Sequence, residues 1–249
     1  MLLKWLIGVA VALALSTTAS AQGKARAVTL SSRDRVSISA LAWEAAQAKA
    51  VILLFHQAGS SKAEYATIAP RLAAAGYTAL AIDQRSGGSL YGPNETVSRL
   101  GRSSATYEET KPDLVAALDW AVPQHLPVVL WGSSYSAALV FEVAAEHADQ
   151  VSAVIAFSPG EYLRKSGAVA RASAQVHAPI YVTSSPDAGE VNAARQILAA
   201  SPAAAKTQFV PKFGVHGSST LIEARDPKGA AENWDHVLAF LAALPKPPG

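Results

Sequence analysis

The stretch Pro127-Val128-Val129-Leu130-Trp131-Gly132-Ser133-Ser134-Tyr135-Ser136-Ala137-Ala138 decides the fold. It opens on a β-branched, apolar run, the pattern of a parallel strand buried on both faces. It continues into residues 136–147, where Leu139, Val140, Val143 and Ala144 recur at helical spacing. Between the two lies Gly132-x-Ser134-x-Ser136, small residues on either side of a serine at a strand-to-helix turn. A serine that must stand clear of a sheet needs a sharp, strained bend. The residues two before and two after it then sit where strand and helix nearly touch. Gly132 fits there without a side chain, and Ser136 with a small one. With Ser133 as the exposed serine, Trp131 and Tyr135 would occupy the crowded places. The frame therefore selects Ser134 as a nucleophile. The plainer reading makes residues 132–136 only a helix start with a serine N-cap.

Working outward, the same alternation repeats. Residues 50–55 and 77–82 are continuous apolar runs, and residues 151–157, 180–183 and 207–211 supply further short strands. Residues 27–30 and 36–43 flank the polar turn Ser31-Ser32-Arg33-Asp34, an antiparallel opening hairpin. Ser61-x-x-Glu64 reads as a capping box, and Tyr65, Ile68 and Leu72 form the buried stripe of the helix after it. Pro70 inside that helix predicts a kink, and Gly76 a stop. Residues 106–120, 191–200 and 230–243 predict further helices. Residues 86–105 lack periodicity, and a loop of that length is usually functional or mobile. Strand alternating with helix implies a mostly parallel sheet covered on both faces. Ligands of such sheets bind at the carboxyl ends of strands.

The chain has 249 residues, a formal charge of +2, no cysteine and half of its residues hydrophobic. No basic cluster, zinc spacing, glycine-rich phosphate loop or internal repeat is present, so nothing points to nucleic acid, a metal or a cofactor. Residues 1–21 have the form of a signal peptide. Lys4 precedes an apolar run too short to span a bilayer, and Ala19-Ser20-Ala21 is an A-x-A cleavage site. The expectation is an exported protein, periplasmic or secreted, with no stable membrane anchor after processing. Residues 22–249 would then form one α/β domain without disulfides.

Five short segments, each at a strand end, carry a family resemblance: His56-Gln57-Ala58-Gly59-Ser60, Asp83-Gln84-Arg85-Ser86-Gly87-Gly88, the Ser134 turn, Ser184-Ser185-Pro186-Asp187, and Gly214-Val215-His216-Gly217. In this order they resemble the α/β-hydrolases, and among them the small, lidless, dienelactone-hydrolase-like bacterial serine esterases. The resemblance implies the α/β-hydrolase fold: a mostly parallel sheet with helices on both faces, the antiparallel hairpin first, and no separate cap domain. It implies a triad in the order serine, acid, histidine. His216 would take and return the proton of Ser134, and Asp187 would hold the imidazole, with Glu161 as the alternative carboxylate. The oxyanion hole would use the backbone N–H groups of Tyr135 and Ala58. Gln57 departs from the common His-Gly start of that loop and would itself enter the site, whereas His56 would brace the loop. The dienelactone hydrolases proper use a cysteine, which this chain lacks, so their ring-opening activity is not carried over.

Residues 158–179 leave room for one helix and its connections, which implies an open cleft. Tyr91, Tyr135 and Tyr162 could line it, with Gln57, Tyr91 and Tyr162 as the substrate-binding residues. Short or medium acyl esters, or a bulky ester overhanging the site, would fit. The competing readings are an amidase, peptidase or acyltransferase with the same triad, and a non-catalytic exported binding protein on a hydrolase scaffold.

Overall fold

The computed structural model of the protein describes residues 24–101 and 105–245. The expected signal peptide and the last prolines of the tail lie outside the described residues. Eight strands form one sheet in the order β1-β2-β4-β3-β5-β6-β7-β8. The hairpin pairs β1 (Arg26–Ser31) with β2 (Ser37–Trp43), and β2 joins β4 (Thr78–Ile82) in antiparallel fashion. All other neighbours are parallel: β3 (Val51–Phe55), β5 (Val128–Ser133), β6 (Ala153–Phe157), β7 (Ile180–Thr183) and β8 (Lys206–Phe209).

The apolar runs are continuous because both faces of these strands are covered. Every residue of β3, β4, β5 and β6 is buried. Val51, Leu53, Phe55, Leu130, Val154 and Ala156 pack under α3 (Lys111–Ala121), α4 (Tyr135–Glu146), α5 (Ala168–Ser173) and α6 (Ala188–Ala200). Ile52, Leu54, Val129, Trp131 and Ile155 face α1 (Ile68–Ala74) and α7 (Ala230–Ala243). Each such side chain contributes about 1.5–3 kcal/mol by leaving water. No separate cap is present among the described residues, since α5 has only six residues. No helix among them is long and apolar enough to cross a membrane.

Two local expectations are corrected. Residues 62–74 do not form one kinked helix. A 3-10 turn, Lys62–Tyr65, precedes α1, and Pro70 is the third residue of α1. A proline in a first turn removes no intrahelical bond, so nothing kinks. Residues 86–101 are not structureless either. They contain α2 (Glu95–Leu100), capped by Asn94 Oδ1 on the Val97 N–H at 2.8 Å and ended by Gly101 in the left-handed region. The asparagine and glycine were the available start and stop signals.

The register positions the site. Phe55 of β3 lies opposite Gly132 of β5, which lies opposite Ala156 of β6. The loops that follow these strands therefore emerge side by side at one edge of the sheet.

Candidate active site

Ser134 stands between β5 and α4 with φ 59° and ψ −123°. A serine held at positive φ is strained by about 1–3 kcal/mol and persists only where its surroundings fix it. Here its N–H is bound by the Phe157 carbonyl at 2.8 Å, while its own carbonyl accepts from the Ala137 N–H. The crowding inferred from the sequence is present. A Cβ on Gly132 would lie 2.4 Å from the Ser136 carbonyl oxygen and 2.5 Å from Ala137. Ser136 occupies the opposite crowded place. Its hydroxyl donates to the His56 carbonyl at 2.6 Å and accepts from Gln84 Nε2 at 2.8 Å, tying the turn to two neighbouring loops.

The Ser134 Oγ lies 2.8 Å from His216 Nε2. On the other side of the ring, Nδ1 lies 2.9 Å from Glu190 Oε1. A carboxylate can only accept, so Nδ1 carries the proton and donates it, leaving the Nε2 lone pair for the serine hydroxyl. Glu190 also accepts from the Ser158 hydroxyl at 2.7 Å and from the Ser185 N–H at 3.2 Å. Partial burial raises its affinity for a proton. The bonds from His216 and Ser158, the His216 charge and the Ser185 N–H outweigh that and hold its carboxyl at about 2. Ser158, itself at φ 51°, accepts from the Gly217 N–H at 2.9 Å and so joins Glu190 to the loop of His216.

Neither carboxylate expected from the sequence meets His216. Asp187 is the N-cap of α6, its Oδ1 accepting from the N–H groups of Gly189 at 2.8 Å and Glu190 at 3.1 Å. Glu161 accepts from the N–H groups of Val169 at 3.1 Å and Ala170 at 2.8 Å, at the start of α5. Both carboxylates are spent on orphan helix donors. The sequence reading missed Glu190. The available signal was Asp187-x-x-Glu190, the start of a helix with its cap already in place.

The Gln57 side chain reaches the loop that carries His216. Its Nε2 donates to Ser219 Oγ at 3.0 Å and makes a long contact of 3.5 Å to the Tyr91 hydroxyl, which also bonds Ser219. Gln57 and Tyr91 are thus brought together three residues beyond His216, and Arg225 lies over the Tyr91 ring. The Tyr162 hydroxyl donates to the Ser158 carbonyl at 3.1 Å, and the residue is 37 % exposed. Burial and the Glu190 charge raise its hydroxyl pKa, and a hydrogen bond with Ser134 lowers it.

The backbone N–H of Gln57 is occupied by Glu64 Oε2 at 2.9 Å. The N–H groups of Ala58 and Tyr135 have no acceptor among the described residues. Tyr135 is held from its far end. Its hydroxyl is bonded by Gln84 Nε2 and Ser86 Oγ, both at 2.7 Å, and its ring stacks on Tyr107 at 4.2 Å. His56 braces its loop as a neutral ring. Nδ1 donates to the Gln57 carbonyl at 2.8 Å, Nε2 accepts from the Gln84 N–H at 3.1 Å, and burial lowers its pKa to about 4. No group of metal-binding side chains occurs among the described residues.

Comparison with known proteins agrees with this architecture. Residues 46–210 match the family model described as serine aminopeptidase, S33, a span that ends before His216. A dienelactone hydrolase from Anabaena variabilis superposes with a TM-score of 0.70 at 21% identity, over 90% of this chain and 99% of that one. The Pyrococcus furiosus esterase Pf2001 gives 0.66 at 17% identity, over 90% and 91%. A thermostable carboxyl esterase from Bacillus coagulans gives 0.67 at 10% identity, over 88% and 98%. No curated protein sequence matches. With the fold in agreement and more than half of its residues matched, the chain belongs to the serine aminopeptidase S33 family of α/β hydrolases.

Proposed function

We propose that the protein hydrolyses carboxylic esters through Ser134, His216 and Glu190. The observation that carries this reading is the unbroken chain of contacts from Ser134 Oγ through the imidazole to Glu190 Oε1. In the first step Ser134 Oγ attacks the ester carbonyl carbon, and its proton passes to His216 Nε2. Glu190, already ionised, stabilises the imidazolium and keeps the ring in the productive tautomer. The developing oxyanion is received by the N–H groups of Tyr135 and Ala58. Collapse breaks the ester C–O bond, and His216 returns its proton to the departing alcohol. Water then attacks the acyl-enzyme with His216 again as base, which releases the acid and restores Ser134.

The short α5 and the absence of a separate cap among the described residues support an open cleft, which would take short or medium acyl chains or a bulky ester that overhangs the site, with Tyr91, Tyr162 and Gln57 as the substrate-binding residues. The second reading, amide or peptide cleavage by the same groups, is favoured by the aminopeptidase named in the family's description. The leader-like residues 1–21 support action outside the cytoplasm, with a mature start at Gln22. The deciding experiment is a panel of p-nitrophenyl esters and p-nitroanilides of graded acyl length, with a phosphonate label mapped by mass spectrometry. The expected result is ester turnover, far slower amide turnover, and one adduct on the Ser134 peptide. Labelling elsewhere, or faster anilide than ester cleavage, would sink the ester reading.

A further inference from the structure

A second carboxylate lies under the site and has no part in the proton relay. Glu64 is 1 % exposed, at the end of the loop that follows β3. Its Oε2 accepts from the Gln57 backbone N–H at 2.9 Å, one residue before Ala58. Its Oε1 accepts from Ser133 Oγ at 2.8 Å, one residue before Ser134. Ser133 Oγ in turn accepts from the Ser218 N–H at 2.9 Å, two residues after His216. The packing around this point is tight, since a Cβ on Gly217 would lie 2.5 Å from Ser133 Oγ. One buried carboxylate therefore connects the three loops that carry the oxyanion donor, the nucleophile and the base.

We propose that Glu64 is a positioning residue for the hydrolytic reaction, setting those three loops in register only when it is ionised. This rests on the serine-hydrolase reading above. The direction of the bonds requires the charge. Oε2 faces an N–H, so a proton on Glu64 would sit on Oε1 and be donated to Ser133. Ser133 Oγ would then accept from both Glu64 and Ser218, and its own proton would be turned out into fully buried surroundings. The imidazolium formed during catalysis would also lose a nearby negative charge.

Other charged and titratable groups around Glu64 are accounted for. Lys62 Nζ is paired with Asp83 at 2.6 Å and with Glu95 at 3.3 Å. His56 is a neutral brace, and Tyr65 donates its hydroxyl to the Phe55 carbonyl at 2.7 Å. His216 is the group whose charge reaches Glu64 across the site. Burial pushes the Glu64 carboxyl up to about 7, tempered by the bonds from Gln57 and Ser133 and by the His216 charge.

The test is the pH dependence of kcat/KM on a soluble p-nitrophenyl ester, with the full chain and with Glu64→Gln and Ser133→Ala. Glu64 must be ionised for full activity, so the wild-type kcat/KM should fall more steeply with decreasing pH than that of Glu64→Gln. Glu64→Gln should also show a kcat about ten- to a hundredfold lower at pH 8, and KM within about twofold. Ser133→Ala cuts the chain one bond later and leaves no hydroxyl to be turned out when Glu64 takes up a proton. It should lose kcat to a similar degree and show the same shallower fall. Equal steepness in the wild type and Ser133→Ala, or wild-type kcat in Glu64→Gln, overturns the inference, and the first of these decides even if Glu64→Gln fails to fold. Phosphonate labelling separates the two levels. Wild-type protein that neither labels at Ser134 nor turns over esters overturns the hydrolase reading and this one together. A labelled, active wild type with an indifferent Glu64 overturns this one alone.

Discussion

Two places in the molecule share one local sequence pattern and use it alike. Ser61-x-x-Glu64 and Asp187-x-x-Glu190 each place a capping residue three positions before a glutamate at a helix or turn start. In both, the first residue caps: Ser61 Oγ accepts from the Ala63 N–H, and Asp187 Oδ1 from those of Gly189 and Glu190. In both, the glutamate turns away from the cap and into the site. What differs is the surroundings. Glu190 is 23 % exposed on its side chain and accepts from His216, Ser158 and Ser185, and is held well below the usual range. Glu64 is walled in, accepts from Gln57 and Ser133, and is raised to about 7 chiefly by desolvation. The same residue type at the same turn position becomes a permanent anion in one place and a titrating group in the other.

The largest expected effect sharpens what both glutamates serve. Ser134→Ala should lower kcat by about 10⁶ and abolish phosphonate labelling, whereas a residual rate near normal would remove the site from this turn. Next comes the acid. Glu190→Gln should lower kcat by about 10⁴ with little change in KM, because the amide no longer enforces the imidazole tautomer. Asp187→Asn and Glu161→Gln should each change kcat by less than about tenfold, measured on the same ester. A loss in Asp187→Asn as large as that in Glu190→Gln would break the division between cap and acid.

A smaller effect belongs to Ser158, which donates to Glu190 and accepts from Gly217. Ser158→Ala should reduce kcat by about tenfold, the order expected for one hydrogen bond to a charged group. Stability should separate the two glutamates by sign. Glu64 binds its proton more tightly folded than unfolded, so its ionisation costs stability as pH rises from about 4.5 to 7, by at most about 3 kcal/mol. Glu190 does the opposite. Its contribution is present above about 4.5 and is lost as pH falls toward about 2. Thermal melts of Glu64→Gln should therefore lack the decline that the wild type shows between about pH 4.5 and 7. A parallel decline in both proteins would mean that Glu64 does not titrate in that window.

Much of this was legible in the sequence because it depends on patterns of period and order. Buried strands read as apolar runs, and Gly132 and Ser136 framed Ser134 by a steric argument that the structure repeats in distances. His216 was placed by following the last strand. The carboxylate that meets His216 was not legible from position alone. Asp187 and Glu190 are three residues apart, and only the competition for the first N–H groups of α6 decides which one is left over for the histidine. Glu64 was hidden for a related reason. A glutamate three residues after a serine reads as a cap partner, and nothing local reveals a hydroxyl 69 positions away that binds it instead.

The opening hairpin shows how an edge of the sheet is secured without covalent help. Arg85, just past the end of β4, reaches Asp34 in the β1–β2 turn and Asp113 in the first turn of α3, and its guanidinium also meets Ser32. These bonds hold Asp34 strongly ionised, and Arg85 and Asp113 are both buried, so removing Asp113 would leave an unpaired buried charge at a cost of about 3–5 kcal/mol. The clasp closes a long stretch of chain much as a disulfide would, yet it involves no electron transfer. With no cysteine anywhere in the sequence, no disulfide holds this fold, and the clasp fastens the hairpin in the same way whether the surroundings reduce disulfides or form them.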